Sequence, residues 1–403
     1  MIPKRRTLRA CFAIIALVAG VTTALSTIHT TARKRLKRSY VQRVGLGRQS
    51  KDVLSSDELR ELLRKYSRKK YGSGKYRKGW RHFMYSASSA IRQELSENLP
   101  HPVNRKALEN LAFRLGVAAD TGQRPCFVDA GARSGYALDF FCRARNLADF
   151  LMDRDQPIFP DFWGDALTNS PMLSREEDEA ASSKSFQITS IAGGPGYDFL
   201  AAALVALYSA SDLDHVPSIR TTVLDYEEGW KDLVHCMNAA TRKVLPDFDF
   251  ACDWGGKCDV TKPLSHPNNA ACLPCIDSTH LWTCQYVVAE NAQRLRDSDF
   301  VFFKDLFEAM PEGALFILTE TTPYLWHELT SLMLEHCPYM QVGFPNKRGY
   351  QMVLRKGNEQ DVFSLSEEEG QLLQHFEGIA ILREGKLEKG WERQEPKNRG
   401  LVA

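Results

Sequence analysis

The first 51 residues contain no aspartate or glutamate. Over the whole chain 52 Lys and Arg face 50 Asp and Glu, and the resulting net charge of +2 conceals a division. Residues 1–81 hold 22 basic and 4 acidic side chains, net +18, while the remainder holds 30 basic and 46 acidic, net −16. Other absences narrow the class. With 26 Gly and 18 Pro in 403 residues, collagen-like and low-complexity chains are excluded, and 43% hydrophobic content excludes a wholly disordered one. No internal repeat at a solenoid period is visible, and no Asn-x-Ser/Thr sequon occurs, which argues against a secreted glycoprotein. No glycine loop ends in Lys-Ser/Thr, which argues against NTP hydrolysis. The length leaves room for two domains, or one large domain with additions.

The acid-free leader has three parts. Lys4, Arg5, Arg6 and Arg9 precede an uncharged run over 10–28, and Arg33, Lys34, Arg35, Lys37 and Arg38 follow it. The run is long enough to span a bilayer as a helix. The same pattern describes a cleaved signal peptide or an acid-poor organelle transit peptide, so residues 1–51 read as a targeting or membrane-anchor segment. If it is an anchor, the heavier positive cluster on its C-terminal side puts the body in the cytosol. Over 57–81 further basic residues alternate with Tyr66, Tyr71, Tyr76 and Trp80. Residues 33–81 are therefore a candidate surface for RNA or anionic lipid.

Residues 52–185 continue as a basic arm and a helical cap. An apolar helical face runs through 83–99, Pro100 breaks it, and Asn104 is placed to cap a second helix. CFVDAG at 126–131 has a strand-like apolar start, a helical stretch follows, and 168–185 is polar and acidic like a linker. From 186 strands and helices alternate, the signature of a parallel α/β sheet. Strands are expected at 186–194, 221–227, 282–291 and 314–320, with a closing hairpin formed by 340–344 and 350–356. Residues 358–403 read as a polar C-terminal tail.

The most informative segment is Ser190 to Ala201, where Gly193, Gly194 and Gly196 lie at a strand-to-helix turn. Such a turn lets a ligand approach the backbone and offers free N–H groups at the helix start. About thirty residues on, the next strand ends in Asp225, Glu227 and Glu228, where a carboxylate can accept both ribose hydroxyls of an adenosine-bearing ligand. The dinucleotide pattern G-x-G-x-x-G fails, because its third glycine falls at Phe199. An adenosine ligand without a pyrophosphate remains.

On these residues the stretch 186–357 resembles the class I S-adenosylmethionine-dependent methyltransferases. The resemblance implies an α/β, Rossmann-like fold: a seven-stranded, mostly parallel sheet with a closing antiparallel hairpin, here preceded by an N-terminal helical cap. It also implies S-adenosylmethionine as cofactor. Gly193, Gly194 and Gly196 would contact the amino-acid part, Asp225 or Glu227 the ribose, and Asp259, in CDVT, the adenine amino group. The family's usual acid at the end of the first strand is missing from SIAGGPG, and Asp198 on the following helix is the substitute. A rival loop at 126–135 carries Asp129 but lacks a second acid-ended strand at the proper distance.

In this fold the methyl acceptor sits beyond the fourth strand, which puts Glu290 and Asn291 forward as catalytic candidates. Glu290 can act as a base or an orienting group, and equally as a helix cap. Glu320 is a second, weaker candidate. The amino-methylating signature Asn/Asp-Pro-Pro-Tyr is absent. Among ten cysteines, Cys272 and Cys275 have the spacing of half a zinc site that Cys252 and Cys258 would complete, although the latter pair is too widely spaced. Buried free thiols are the default reading and zinc the alternative. A competing class remains, a non-enzymatic membrane- or RNA-associated adaptor with a degenerate nucleotide fold.

Overall fold

The structure is a computed structural model that describes residues 55–66, 74–152, 185–209, 216, 218–345, 350–358, 360 and 363–388. The leader, its apolar run over 10–28, the polar linker before 185 and most of the basic arm lie outside the described residues. Among those described, no helix is long and apolar enough to cross a membrane.

Among the described residues five helices come first. Helix α1 (Ser56–Tyr66) starts in a reciprocal cap: Glu58 accepts the Ser55 N–H at 2.7 Å, and Ser55 Oγ accepts the Glu58 N–H. Its Leu59 and Leu63 are buried against α2 (Gly74–Glu97), which turns Phe83, Met84, Ala87, Ile91 and Leu95 inward at helical spacing. Helix α3 (Arg105–Thr121) has the expected Asn104 cap on the Ala107 N–H and ends at Gly122 in the left-handed region. The aromatic members of the basic arm do not all face solvent. Trp80 is 4% exposed and its indole N–H donates to Asp149 at 2.8 Å, so it is a core anchor and offers no stacking platform for RNA or lipid.

The CFVDAG segment is not a strand. It has no sheet partner; the Arg133 guanidinium takes the carbonyls of Phe127 and Val128, and Asp129 caps helix α4 (Ala130–Asp139) through the Ala132 N–H at 2.7 Å. The acid of the rival loop is thus committed to a helix start. Helix α5 (Cys142–Leu151) follows.

Strands β1 (Ser185–Ile191), β2 (Ser218–Asp225), β3 (Phe250–Lys257), β4 (Leu281–Gln285), β5 (Leu315–Thr319), β6 (Met340–Gly343) and β7 (Gln351–Lys356) form one sheet. Its order is β3-β2-β1-β4-β5-β7-β6, parallel throughout except for β7, which runs against both β5 and β6. The mostly parallel α/β sheet with its antiparallel closing hairpin is the architecture the alternating pattern implied. Side chains alternate faces along β5: Leu315 and Ile317 join the core shared with the N-terminal helices, while Phe316 and Leu318 join a second core on the opposite face. Helix α6 (Tyr197–Ser209) lies in the first core with Tyr197 to Tyr208 all buried, which is why its sequence is apolar on every side. Helix α7 (Lys231–Val244) flanks β3. Helices α8 (Ala292–Asp297), α9 (Val301–Ala309) and α10 (Trp326–His336) supply residues to the second core.

Two boundaries differ from the sequence reading. The fourth strand ends at Gln285, because Tyr286 adopts φ 62 and turns the chain, so VVAEN is a turn and not a strand. The segment after 357, read as a polar tail, includes helix α11 (Glu367–Glu388), whose Phe376 and Ala380 are buried in the second core.

Candidate functional site

The order of the sheet reverses between β1 and β4, whose chains leave in opposite directions at their C-terminal ends. A parallel sheet opens its crevice at such a point. Here it is a cleft, partly open to solvent, between the turn after β1, the ends of β2 and β4, and the loop and helices that lead into and begin α5.

The turn after β1 is built for close approach. Gly194 and Gly196 have φ of +52° and +85°, where an L side chain is strained. The two adjacent glycines differ in purpose. A Cβ on Gly193 would stand 2.1 Å from Ser190 Oγ and 2.8 Å from Ser190 Cβ, so this glycine lets the turn fold over β1. A Cβ on Gly194 would meet nothing closer than the Trp230 ring at 3.8 Å, so the space above Gly194 belongs to the cleft.

Asp225, at the end of β2, accepts the Gly194 N–H at 3.1 Å on one oxygen and the Glu227 N–H at 3.0 Å on the other. Burial pushes its carboxyl up to about 7 against those two donors. Glu227 itself is not brought to the cleft; its carboxylate caps the short helix beyond it by accepting the Gly229 N–H. Asp198 lines the cleft from below the loop, where it accepts hydrogen bonds from Ser190, Thr283 and Gln285. It ties α6 to β1 and β4, and burial holds it up at about 6 in spite of the Ser190 and Thr283 donors.

Asp259 stands at the opposite wall in an Asp-x-Thr turn, accepting from the Thr261 N–H and hydroxyl. Arg124 donates to both of its oxygens at 2.7 Å and lies over the Tyr226 ring at 4.7 Å. Burial works against the Asp259 carboxylate, and the Arg124 and Thr261 hydrogen bonds outweigh it, leaving the acid below its ordinary value. While that ion pair is made, the carboxylate is occupied and does not stand open toward an adenine amino group as the sequence reading had it.

Beyond β4, Glu290 lines the cleft and Asn291 does so only in part as expected. The Asn291 amide donates to Val287 O at 2.7 Å and accepts from Arg294, so its side chain holds the turn together. Glu290 makes no such bond among the described residues. Burial pushes it up to about 8, with Arg143 opposing and Glu320 and Asp225 adding to the rise. Glu320 accepts the Ala289 N–H at 3.0 Å and so supports the turn that carries Glu290. Burial also holds it high, at about 7.

The metal hypothesis is not assembled. Cys258 and Cys272 approach to 3.6 Å as free thiols in the second core, Cys252 lies in the first core, and Cys275 donates to Ala271 O. Among the described residues no group of three or more His, Cys, Asp or Glu is placed to hold a metal ion.

Several cleft residues were not anticipated: Arg124, Phe127, Tyr136 and Arg143 from the helical region, Trp230 after β2 and Tyr286 after β4. One signal was present, since Tyr136, Phe140 and Arg143 recur at helix-like spacing, but only packing shows which way that face points.

A pH dependence follows from the buried acids. Asp198, Asp225 and Glu320 bind protons more tightly folded than unfolded, so their contribution to stability is full below their unfolded values near 4 and is lost as pH rises through about 6 to 7. Each unit of displacement is worth about 1.4 kcal/mol. The melting temperature of the ligand-free protein should therefore fall between pH 5 and 8, and Asp198→Asn should make that fall shallower. An identical slope in the variant would show that Asp198 is not held protonated.

No family model matches the sequence, and no curated protein matches it. Among solved structures it is similar to an O-methyltransferase family protein from Burkholderia thailandensis, at 10% identity over 67% of this chain and 72% of that one, with a TM-score of 0.35. It is also similar to a mitomycin 7-O-methyltransferase, at 14% identity over 84% of this chain and 100% of that one, with a TM-score of 0.31. Likeness this distant carries no functional information, which has to come from the cleft.

Proposed function

We propose that the protein is an S-adenosylmethionine-dependent methyltransferase, with residues 186–357 as the catalytic part and the preceding helices as the cap over its cleft. The observation that carries this reading is the pairing of the Gly194 N–H, in the turn after β1, with the Asp225 carboxylate at the end of the adjacent β2, beside the switch point of the sheet. That pairing puts a side-chain-free cradle and a ribose-accepting acid at one end of the cleft.

The residues present fit the cofactor. A Cβ would fill the cradle above Gly194, and the buried Gln285 Oε1 at the cleft wall has no hydrogen-bond partner among the described residues. When bound, S-adenosylmethionine supplies a methyl group on a positively charged sulfur. Asp225 retains lone pairs beyond the two given to backbone N–H groups, and these accept the ribose hydroxyls. Trp230, Tyr226 and Phe127 wall the same end and exclude water from it. Glu290, unbonded and poised near neutrality, takes the proton of an acceptor O–H or N–H. Most of the remaining gain is positioning.

Equilibrium binding tests the reading. The wild type should bind S-adenosylmethionine and S-adenosylhomocysteine, and Asp225→Ala should weaken both by about tenfold or more, the worth of hydrogen bonds to a charged acceptor. Absence of binding by the wild type would sink the proposal.

A further inference from the structure

Two arginines line the cleft, and only one has a carboxylate partner. Arg124 is closed by Asp259. Arg143, the second residue of α5, donates to the Tyr136 hydroxyl, and no carboxylate of the described residues pairs with it. Its guanidinium lies over the Tyr286 ring at 4.0 Å, with Phe140 at 5.0 Å and Tyr136 at 5.2 Å. An aromatic slot of this kind orients the planar fork and leaves its edge donors free to receive a partner.

We propose that Arg143 is the carboxylate-binding residue of the cleft and that it fixes a planar, singly charged anionic group of a ligand. Three arguments support this. A guanidinium remains charged under all working conditions, and Arg143 is half-buried in the cleft, where a ligand anion offsets the partial loss of its hydration and completes the site. The nearest acid to offset it electrostatically is Glu290, which burial holds up at about 8 and so keeps largely uncharged near neutrality. The Tyr136 hydroxyl is pushed well above its ordinary range by burial and stays neutral too. The choice of carboxylate over phosphate follows from the fork, which a carboxylate matches with two parallel bonds, and from Asp198 and Asp225 in the same cleft, which repel a doubly charged group more strongly than a singly charged one.

The carboxylate has two sources, the cofactor's own amino-acid end or the methyl acceptor. Only the choice between them rests on the methyltransferase reading. Calorimetric titration of the full chain distinguishes them with three probes: S-adenosylhomocysteine, methylthioadenosine (the same adenosine thioether without a carboxylate) and sodium benzoate. Arg143→Met should weaken either S-adenosylhomocysteine or benzoate by about tenfold or more, with methylthioadenosine unchanged and Arg143→Lys recovering part of the loss. If S-adenosylhomocysteine is the sensitive probe and excludes benzoate, the cofactor's carboxylate occupies Arg143. If benzoate alone is sensitive and binds beside S-adenosylhomocysteine, the site belongs to the acceptor. The proposal is overturned if Arg143→Met alters neither carboxylate probe, or if methylthioadenosine loses as much as S-adenosylhomocysteine. Should the wild type bind neither adenosine thioether, the methyltransferase reading fails while the benzoate arm still judges Arg143.

Discussion

Glu290→Gln is expected to lower methyl transfer by about 10²–10⁴-fold, the usual worth of a positioned general base. The substitution keeps the size of the side chain and removes only its ability to take a proton. Glu290 suits the role because it lines the cleft without a hydrogen-bond partner and because burial, with Glu320 and Asp225 nearby, raises it to about 8. A carboxylate at that value is strongly basic once ionised, and it is ionised only as pH rises. The wild-type rate should therefore climb from pH 6 to a plateau above about 8, and the residual rate of the variant should lack that climb. The measurement is formation of S-adenosylhomocysteine from S-adenosylmethionine with a cell extract as the source of acceptor, so the acceptor need not be known beforehand. A full rate in Glu290→Gln, accompanied by a lowered melting temperature, would reassign Glu290 to holding the turn after β4.

Gly194→Arg is expected to weaken S-adenosylmethionine binding by about a hundredfold or more, equivalent to the roughly 3 kcal/mol that overpacking a filled site costs. The added side chain enters the cleft, since nothing but the Trp230 ring lies within 4 Å of the position its Cβ would take. The neighbouring substitution should behave differently. Gly193→Ala places a Cβ against Ser190, whose hydroxyl is itself bonded to Asp198. Its cost falls on the packing of the turn, about 1–3 kcal/mol of stability. Melting temperature and titration on the two variants separate these effects: Gly193→Ala should lose stability with little change in affinity, and Gly194→Arg should lose affinity beyond the modest stability that its φ of +52° costs. A Gly194→Arg protein that binds as well as the wild type would remove the glycine turn from the site.

The alternation of strands and helices after residue 185 was legible because each element is long enough for its period to show, and because β5, buried on both faces, reads as an apolar run. The glycine turn and the acid ending β2 were legible for the same reason: chemistry there needs particular residue types at short range. Strand β3 was harder to see as an element. It is an edge strand, half exposed, and carries Gly255 and Gly256 near its end. The Tyr286 turn escaped because an apolar VVAEN continues the apolar strand in composition, and the break lies in one left-handed residue.

The sequence by itself determined the parallel α/β class, the closing hairpin, the glycine turn and the candidate acids Asp225 and Glu227 after it, all of which depend on local spacing and residue type. It also determined the division of charge between a basic N-terminal arm and an acidic remainder. Only the tertiary structure decided what those acids do. It turned Glu227 into a cap, gave Asp259 to Arg124 and Asp198 to three side-chain donors, and left Glu290 unbonded in the cleft. It likewise brought Arg143 to the cleft from a helix some fifty residues before the glycine turn. The physical reason is that a carboxylate's role depends on which donors reach it and how much water remains around it, and both are set by contacts between segments far apart in the chain.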